Sequence, residues 1–186
     1  MGKVIAQASM SLDGYIADPS DDVGPLFDWY SNGEVEFTGA DPDRVFRVSA
    51  ASADYLRAAW ATCAAEVVGR RLFDLTNGWD GRPPVGDAVF VVTHQPPTDW
   101  DFPEAPFTFV TDGVASAVAQ AKAFAGDKDI SLTPGTSPGR PWRPAWSTRC
   151  GSTWYRSCSV PGSGSSATTP DPRCSWRTRR SFRGTG

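Results

Sequence analysis

Gly69-Arg70-Arg71 is the grouping of residues with the clearest chemical meaning in this chain. It follows the β-prone run Glu66-Val67-Val68, so the glycine falls where a strand turns into the next element. Backbone N–H groups at a helix start attract anions, and two guanidiniums add forked donors suited to phosphate. The same residues could equally be a solvated pair at the start of a helix. Thr93-His94 closes a second apolar strand, and His94 is the only histidine. A lone histidine invites a catalytic role, but an ordinary surface position is the stronger expectation. Asp54 stands in the first turn of a helical pattern, where an acid also complements the helix dipole.

The elements that must position these groups are legible as periodicity. Val4 to Met10 reads as a strand, Ser11-Leu12-Asp13-Gly14 as a turn, and Tyr15-Ile16-Ala17 as resumed extended chain. Asp18 to Pro25 is a loop. Asp41-Pro42-Asp43 has the form of a helix N-cap. Ser52 to Ala65 predicts a helix capped by Ser52, with Tyr55, Leu56, Ala59, Trp60 and Cys63 on its apolar face. Glu66 to Gly69, Asp87 to Thr93, Phe107 to Thr111 and Asp129 to Thr133 read as strands, and Val114 to Ala125 as an amphipathic helix. This alternation predicts an α/β domain, a mostly parallel sheet flanked by helices, whose ligands lie beyond the carboxyl ends of the strands.

Composition narrows the field. The chain has 186 residues, 40% of them apolar, and a net charge of -3, values of an ordinary soluble domain with room for a core. No apolar run is long enough to cross a membrane, and the N-terminus lacks the layout of a signal peptide, so no membrane partner and a cytoplasmic location are expected. Four cysteines without a C-x-x-C pair and one histidine argue against a metal site. Cys63 is expected to be a buried small hydrophobe.

The charge is divided unevenly. Residues 134–186 hold nine arginines and a single acid, Asp171, a net +8, so residues 1–133 carry -11. The last segment loses all periodicity and is dominated by Ser, Arg, Pro, Gly and Thr, with four Trp and three Cys. Two readings stand. One is a basic disordered arm. The other is translation in a shifted frame: codons for Trp, Cys, Tyr and most Ser begin with T, and in a frame starting one base earlier that T becomes the second base, which encodes only Phe, Leu, Ile, Met or Val. The shifted frame would restore an apolar helix and strand pattern where the tail has none.

Three segments, VIAQASMSLDGYIA (residues 4–17), VVGRRLFD (residues 67–74) and VVTH (residues 91–94), together resemble the bacterial family of dihydrofolate reductase-like and RibD C-terminal reductases. The resemblance covers residues 1–133 and implies a dihydrofolate reductase-like fold truncated at its C-terminal strands, with 134–186 as an irregular tail. It implies NADPH as cofactor and a pyrimidine or pteridine-like small-molecule substrate. The first choice is the RibD-type reduction of 5-amino-6-(5-phosphoribosylamino)uracil in riboflavin synthesis, and dihydrofolate is second. The 2′-phosphate would meet Gly69, Arg70 and Arg71, followed by Leu72 where relatives often carry Thr. Ala8, Ser9 and Ile16 would line the nicotinamide side, Thr93 and His94 the adenosine half, and Thr133 and Gly135 the pyrophosphate. Asp54 would be the carboxylate that grips the substrate ring. Members of the family are often homodimers. The rival reading is a non-enzymatic nucleic-acid binder using the Arg/Trp tail, a partner class the resemblance makes less expected.

Overall fold

The computed structural model describes residues 2–11 and 15–133, together with a two-residue strand at 155–156. The rest of 134–186 lies outside the described residues, and with it Gly135 and the readings of the tail. So does the Leu12-Asp13-Gly14 turn. Ser11 and Tyr15, which flank it, are joined by backbone and hydroxyl hydrogen bonds of 2.8 to 3.1 Å.

The chain runs β1 (Val4–Ala6), β2 (Ser9–Met10), a 3-10 segment (Gly24–Tyr30), β3 (Val35–Thr38), β4 (Val45–Val48), α1 (Ala50–Ala61) and β5 (Cys63–Gly69). It continues through α2 (Arg70–Leu75), a second 3-10 segment (Asn77–Gly81), β6 (Ala88–Val92), β7 (Phe107–Val110), α3 (Val114–Ala125), β8 (Asp129–Leu132) and β9 (Tyr155–Arg156). Five strands form the main sheet in the order β1-β8-β5-β6-β7. Every pairing in it is parallel. The fold is α/β, a parallel sheet flanked by helices. β9 pairs in parallel with β2, and β3 and β4 form an antiparallel hairpin.

The alternation of side chains explains the two faces. Val67, Phe90 and Ile130 point to one side, where Ala117, Ala121 and Ala125 of α3 lie against them. Those alanines recur every four residues, so α3 approaches the strands closely along a flat seam. Val68, Val89 and Val91 point to the other side, onto Phe73 of α2. A third cluster joins Phe37 and Val48 of the hairpin to Ala53 and Leu56 of α1, rimmed by Trp29, Tyr30 and Trp60.

Several expectations are corrected. The predicted helix Ser52 to Ala65 runs instead from Ala50 to Ala61, capped by Ser49, whose side chain accepts from the Ser52 N–H. Cys63 belongs to β5, not to the helix, because the buried run Cys63 to Val68 is more valuable in the sheet centre than on a surface helix. It is buried, as expected. Asp41 caps no helix. Its carboxylate accepts from the Asp43 N–H at 3.1 Å and its carbonyl from Arg44 at 3.2 Å, building the turn of the β3–β4 hairpin. Val4 to Met10 divides into β1 and β2, and Ile16 and Ala17 lie in a bend rather than a strand.

Candidate functional site

Because the sheet is parallel, its strands end at one edge. Ala6 pairs with Leu132, Leu132 with Val67, Gly69 with Val92, and Val92 with Val110. Gly69 ends the central strand, and a Cβ built on it would meet nothing within 4 Å. The backbone there is approachable. Helix α2 has six residues, so its dipole is small and the side chains carry most of the local positive charge.

The two guanidiniums leave this point in different directions. Arg70 donates Nη1 to the Gln95 carbonyl at 2.6 Å and Nε to Asp74 at 2.7 Å, and its guanidinium carbon lies 5.9 Å from the centre of the Phe73 ring. Arg71 forks onto the Asp21 carboxylate, in the loop beyond β2, while its own side chain stays 67% exposed. One strand end is thereby tied to the loop after β6 and to the loop after β2. An open cleft of about 400 Å³ lies beside Arg70, with Phe73, Asn77, Gln95, Pro96 and Trp100 among its walls. Both arginines are paired with acids, so an incoming anion would exchange partners with Asp74 or Asp21.

Asn77 was not singled out by its residue type. It opens a run of left-handed backbone, with Asn77 at φ 51°, Gly78 at 58°, Trp79 at 48° and Asp80 at 53°. Gly78 is required there, since a Cβ would strike Phe73 and Trp100 below 3 Å. The Asn77 carbonyl accepts from Trp100 Nε1 at 3.2 Å, and Asp80 accepts from Asn77 Nδ2 at 2.9 Å. The N-G-W-D-G run is a turn signal in the sequence, but nothing in it foretells that Trp100 closes on it.

The other expected residues fall as follows. Thr93 is buried, and its hydroxyl is engaged by its own turn, donating to the Gln95 carbonyl at 2.8 Å and accepting from the Gln95 N–H at 3.2 Å. It shapes the loop that Arg70 grips. His94 is exposed beside that loop. Leu72 packs against the Val68–Phe73–Val89–Val91 cluster, turned into the core. Ser9 accepts from Trp29 Nε1 at 3.2 Å, and Ala8 and Ile16 are half-buried. Asp54 lies apart on the outer face of α1, 81% exposed and paired with Arg57 at 3.3 Å. Thr133 stands where β8 leaves the sheet, its N–H on the Val67 carbonyl at 3.0 Å and its hydroxyl on Glu66.

Glu66 is the acid that the sequence reading passed over as part of a strand. It lies in the centre of the sheet, 6% exposed, and its Oε2 has no hydrogen-bond partner among the described residues. Burial pushes its carboxyl up to about 7, against the opposing pull of the Thr133 hydroxyl. Burial also pushes the neighbouring Tyr30 phenol up to about 12 and the Cys63 thiol up to about 11, with the Glu66 charge adding to both. A thiol so placed is no nucleophile at neutral pH. Among the described residues no group of three or more acids, histidines or cysteines could hold a metal ion, and no helix is long and apolar enough to cross a membrane.

No protein-family model and no curated protein matches the chain. Among solved structures it is similar to a protein from Shewanella sp. PV-4 named provisionally for riboflavin biosynthesis, at 21% identity and a TM-score of 0.49. The similarity covers 73% of this chain and 66% of that one, so this chain spans just under two thirds of that protein's length.

Proposed function

We propose that residues 1–133 are the cofactor-binding part of a reductase that uses NADPH to reduce a pyrimidine or pteridine-like ring. One observation carries the reading: Arg70 and Arg71 diverge from a single strand end at the carboxyl edge of a parallel sheet, one toward each flanking loop. Ligands of open parallel sheets bind at that edge, and forked guanidinium donors suit a phosphate monoester.

The residues fit such a ligand. Gly69 leaves the backbone open, Arg71 is exposed and can turn from Asp21 to a phosphate, and the cleft beside Arg70 offers aromatic and prolyl surface from Trp100, Phe73, Pro96 and Pro97. The resemblance assigns Ala8, Ser9 and Ile16 to the nicotinamide side. When bound, NADPH would supply the hydride, and the chain would bind and orient it. The sequence resemblance names the ring: a ribosylaminopyrimidine first, dihydrofolate second. Asp54, exposed and paired with Arg57, takes no part in this reading.

Thermal unfolding with NADPH and NADH tests it. A ligand at 100 times its Kd adds about 2.7 kcal/mol to stability, so NADPH should raise the melting temperature by several degrees and NADH by much less. Equal absence of a shift with both nucleotides would overturn the proposal.

A further inference from the structure

Glu66 has no place in the binding scheme above, yet it is the most unusual side chain in the sheet. Its neighbours in register are Ser131 on β8 and Val89 on β6. Thr133 donates to one carboxylate oxygen, and the other, Oε2, is buried without a partner among the described residues. No ion pair among the described residues includes it. Among the described residues, the groups that face it add no positive charge. Tyr30 approaches from the first 3-10 segment with Tyr55 of α1 behind it, Cys63 lies on its own strand, and Asp129 of β8 stands beside Cys63. A buried carboxylate so unsupported holds its negative charge poorly.

Its place along the strand gives this a consequence. Glu66 is three residues before Gly69, roughly 10 Å along the strand. Thr133, half-buried, connects the carboxyl to the same edge through its hydroxyl. An anion seated at Gly69 to Arg71 therefore brings negative charge toward a carboxylate already short of compensation, through an interior that screens charges weakly.

We propose that Glu66 is a buried proton-binding site that takes up one proton from solvent when a phosphate-bearing ligand seats at the strand ends. The inference rests on the reading of that edge as a phosphate site. The proton adds to the carboxylate to give a neutral carboxylic acid, exchanging by way of the Thr133 hydroxyl. No other bond changes. By reciprocity, the ligand binds more tightly as pH falls through the titration of Glu66.

Calorimetric titration of NADPH at pH 7.5, in buffers of different ionisation enthalpy, counts the protons taken up on binding. A tenfold rise in the proton affinity of Glu66 on binding corresponds to uptake of about half a proton at this pH. The 2′-phosphate of the ligand titrates too, so Glu66→Gln is the reference: the native chain should take up about half a proton more than Glu66→Gln. Binding with equal proton counts in the two chains would overturn this inference and leave the cofactor reading standing. No binding heat with NADPH would overturn both. Carbon-13 titration of the Glu66 carboxyl in the native chain, with and without NADPH, needs no variant. Its midpoint should move to higher pH when NADPH is bound, and an unmoved midpoint would sink the proposal.

Discussion

Arg70 places its Nη1 2.6 Å from the carbonyl oxygen of Gln95, joining the end of the central strand to the loop that follows its neighbour β6. The bond defines one wall of the cleft, and the same guanidinium is held from the other side by Asp74 at 2.7 Å. Arg71, one residue on, makes the corresponding tie to Asp21. The two arginines thus do different work. Arg70 shapes a wall, and Arg71 is the cation more free to exchange an acid for a phosphate.

That difference separates their variants. Hydrogen bonds to charged groups are worth about 1.5–3 kcal/mol. Arg71→Ala should weaken NADPH by about 10- to 100-fold while changing NADH little, a loss of preference measurable by fluorescence titration. Arg70→Ala should weaken both nucleotides, since it frees the Gln95 loop.

The Glu66 carboxyl makes stability depend on pH. Its folded value of about 7 lies above the ordinary carboxylate value, so the folded state binds the extra proton. The sign follows: stability from this group is fully present below about pH 4.5, falls as pH rises through about 7, and is level above that. The total is on the order of 3 kcal/mol. Denaturant unfolding of the native chain and Glu66→Gln at pH 5 and pH 8 should show the variant gaining on the native chain at the higher pH. A constant difference would refute the burial of an ionised carboxylate.

Phe73 is 3% exposed and packs edge-on against Trp100 at 5.1 Å and Phe109 at 5.2 Å. Phe73→Ala should cost about 3–5 kcal/mol of stability by urea unfolding, because it opens a cavity between α2 and the sheet. It should also weaken ligand binding, since the same ring lines the cleft.

Arg82 fastens the hairpin turn to the body of the domain, with Nη1 2.8 Å from Asp41 and 2.6 Å from Asp43. Arg82→Ala should lower stability only slightly, since the cation is half exposed and Asp41 keeps the Asp43 N–H as a donor. The loss should shrink as salt is raised, which parallel melts at low and high ionic strength would read.

Asp54→Asn should lower stability by only a few tenths of a kcal/mol, the worth of an exposed pair within one helix. Nucleotide binding should be unchanged. A large loss of binding would restore Asp54 to the site.

The sequence determined the period of each long element and hence the class of the fold. The run Ala88 to Val92 is apolar without alternation because a parallel strand is covered on both faces, and Ala117, Ala121 and Ala125 mark the seam of α3 four residues apart. Gly69-Arg70-Arg71 was legible because a glycine and two cations at a strand end are local facts. Tertiary structure decided the rest. Whether Cys63 to Ala65 would extend α1 or begin β5 turned on burial between neighbouring strands, which short-range propensity does not encode. The hairpin turn at Asp41 depended on pairing partners, and the walls of the cleft on Trp100 closing over Asn77, 23 residues away in sequence. Glu66 was visible as one acid in an apolar strand. Only the fold shows that, among the described residues, no cation comes to meet it, because the charge a side chain can hold is set by what surrounds it in space.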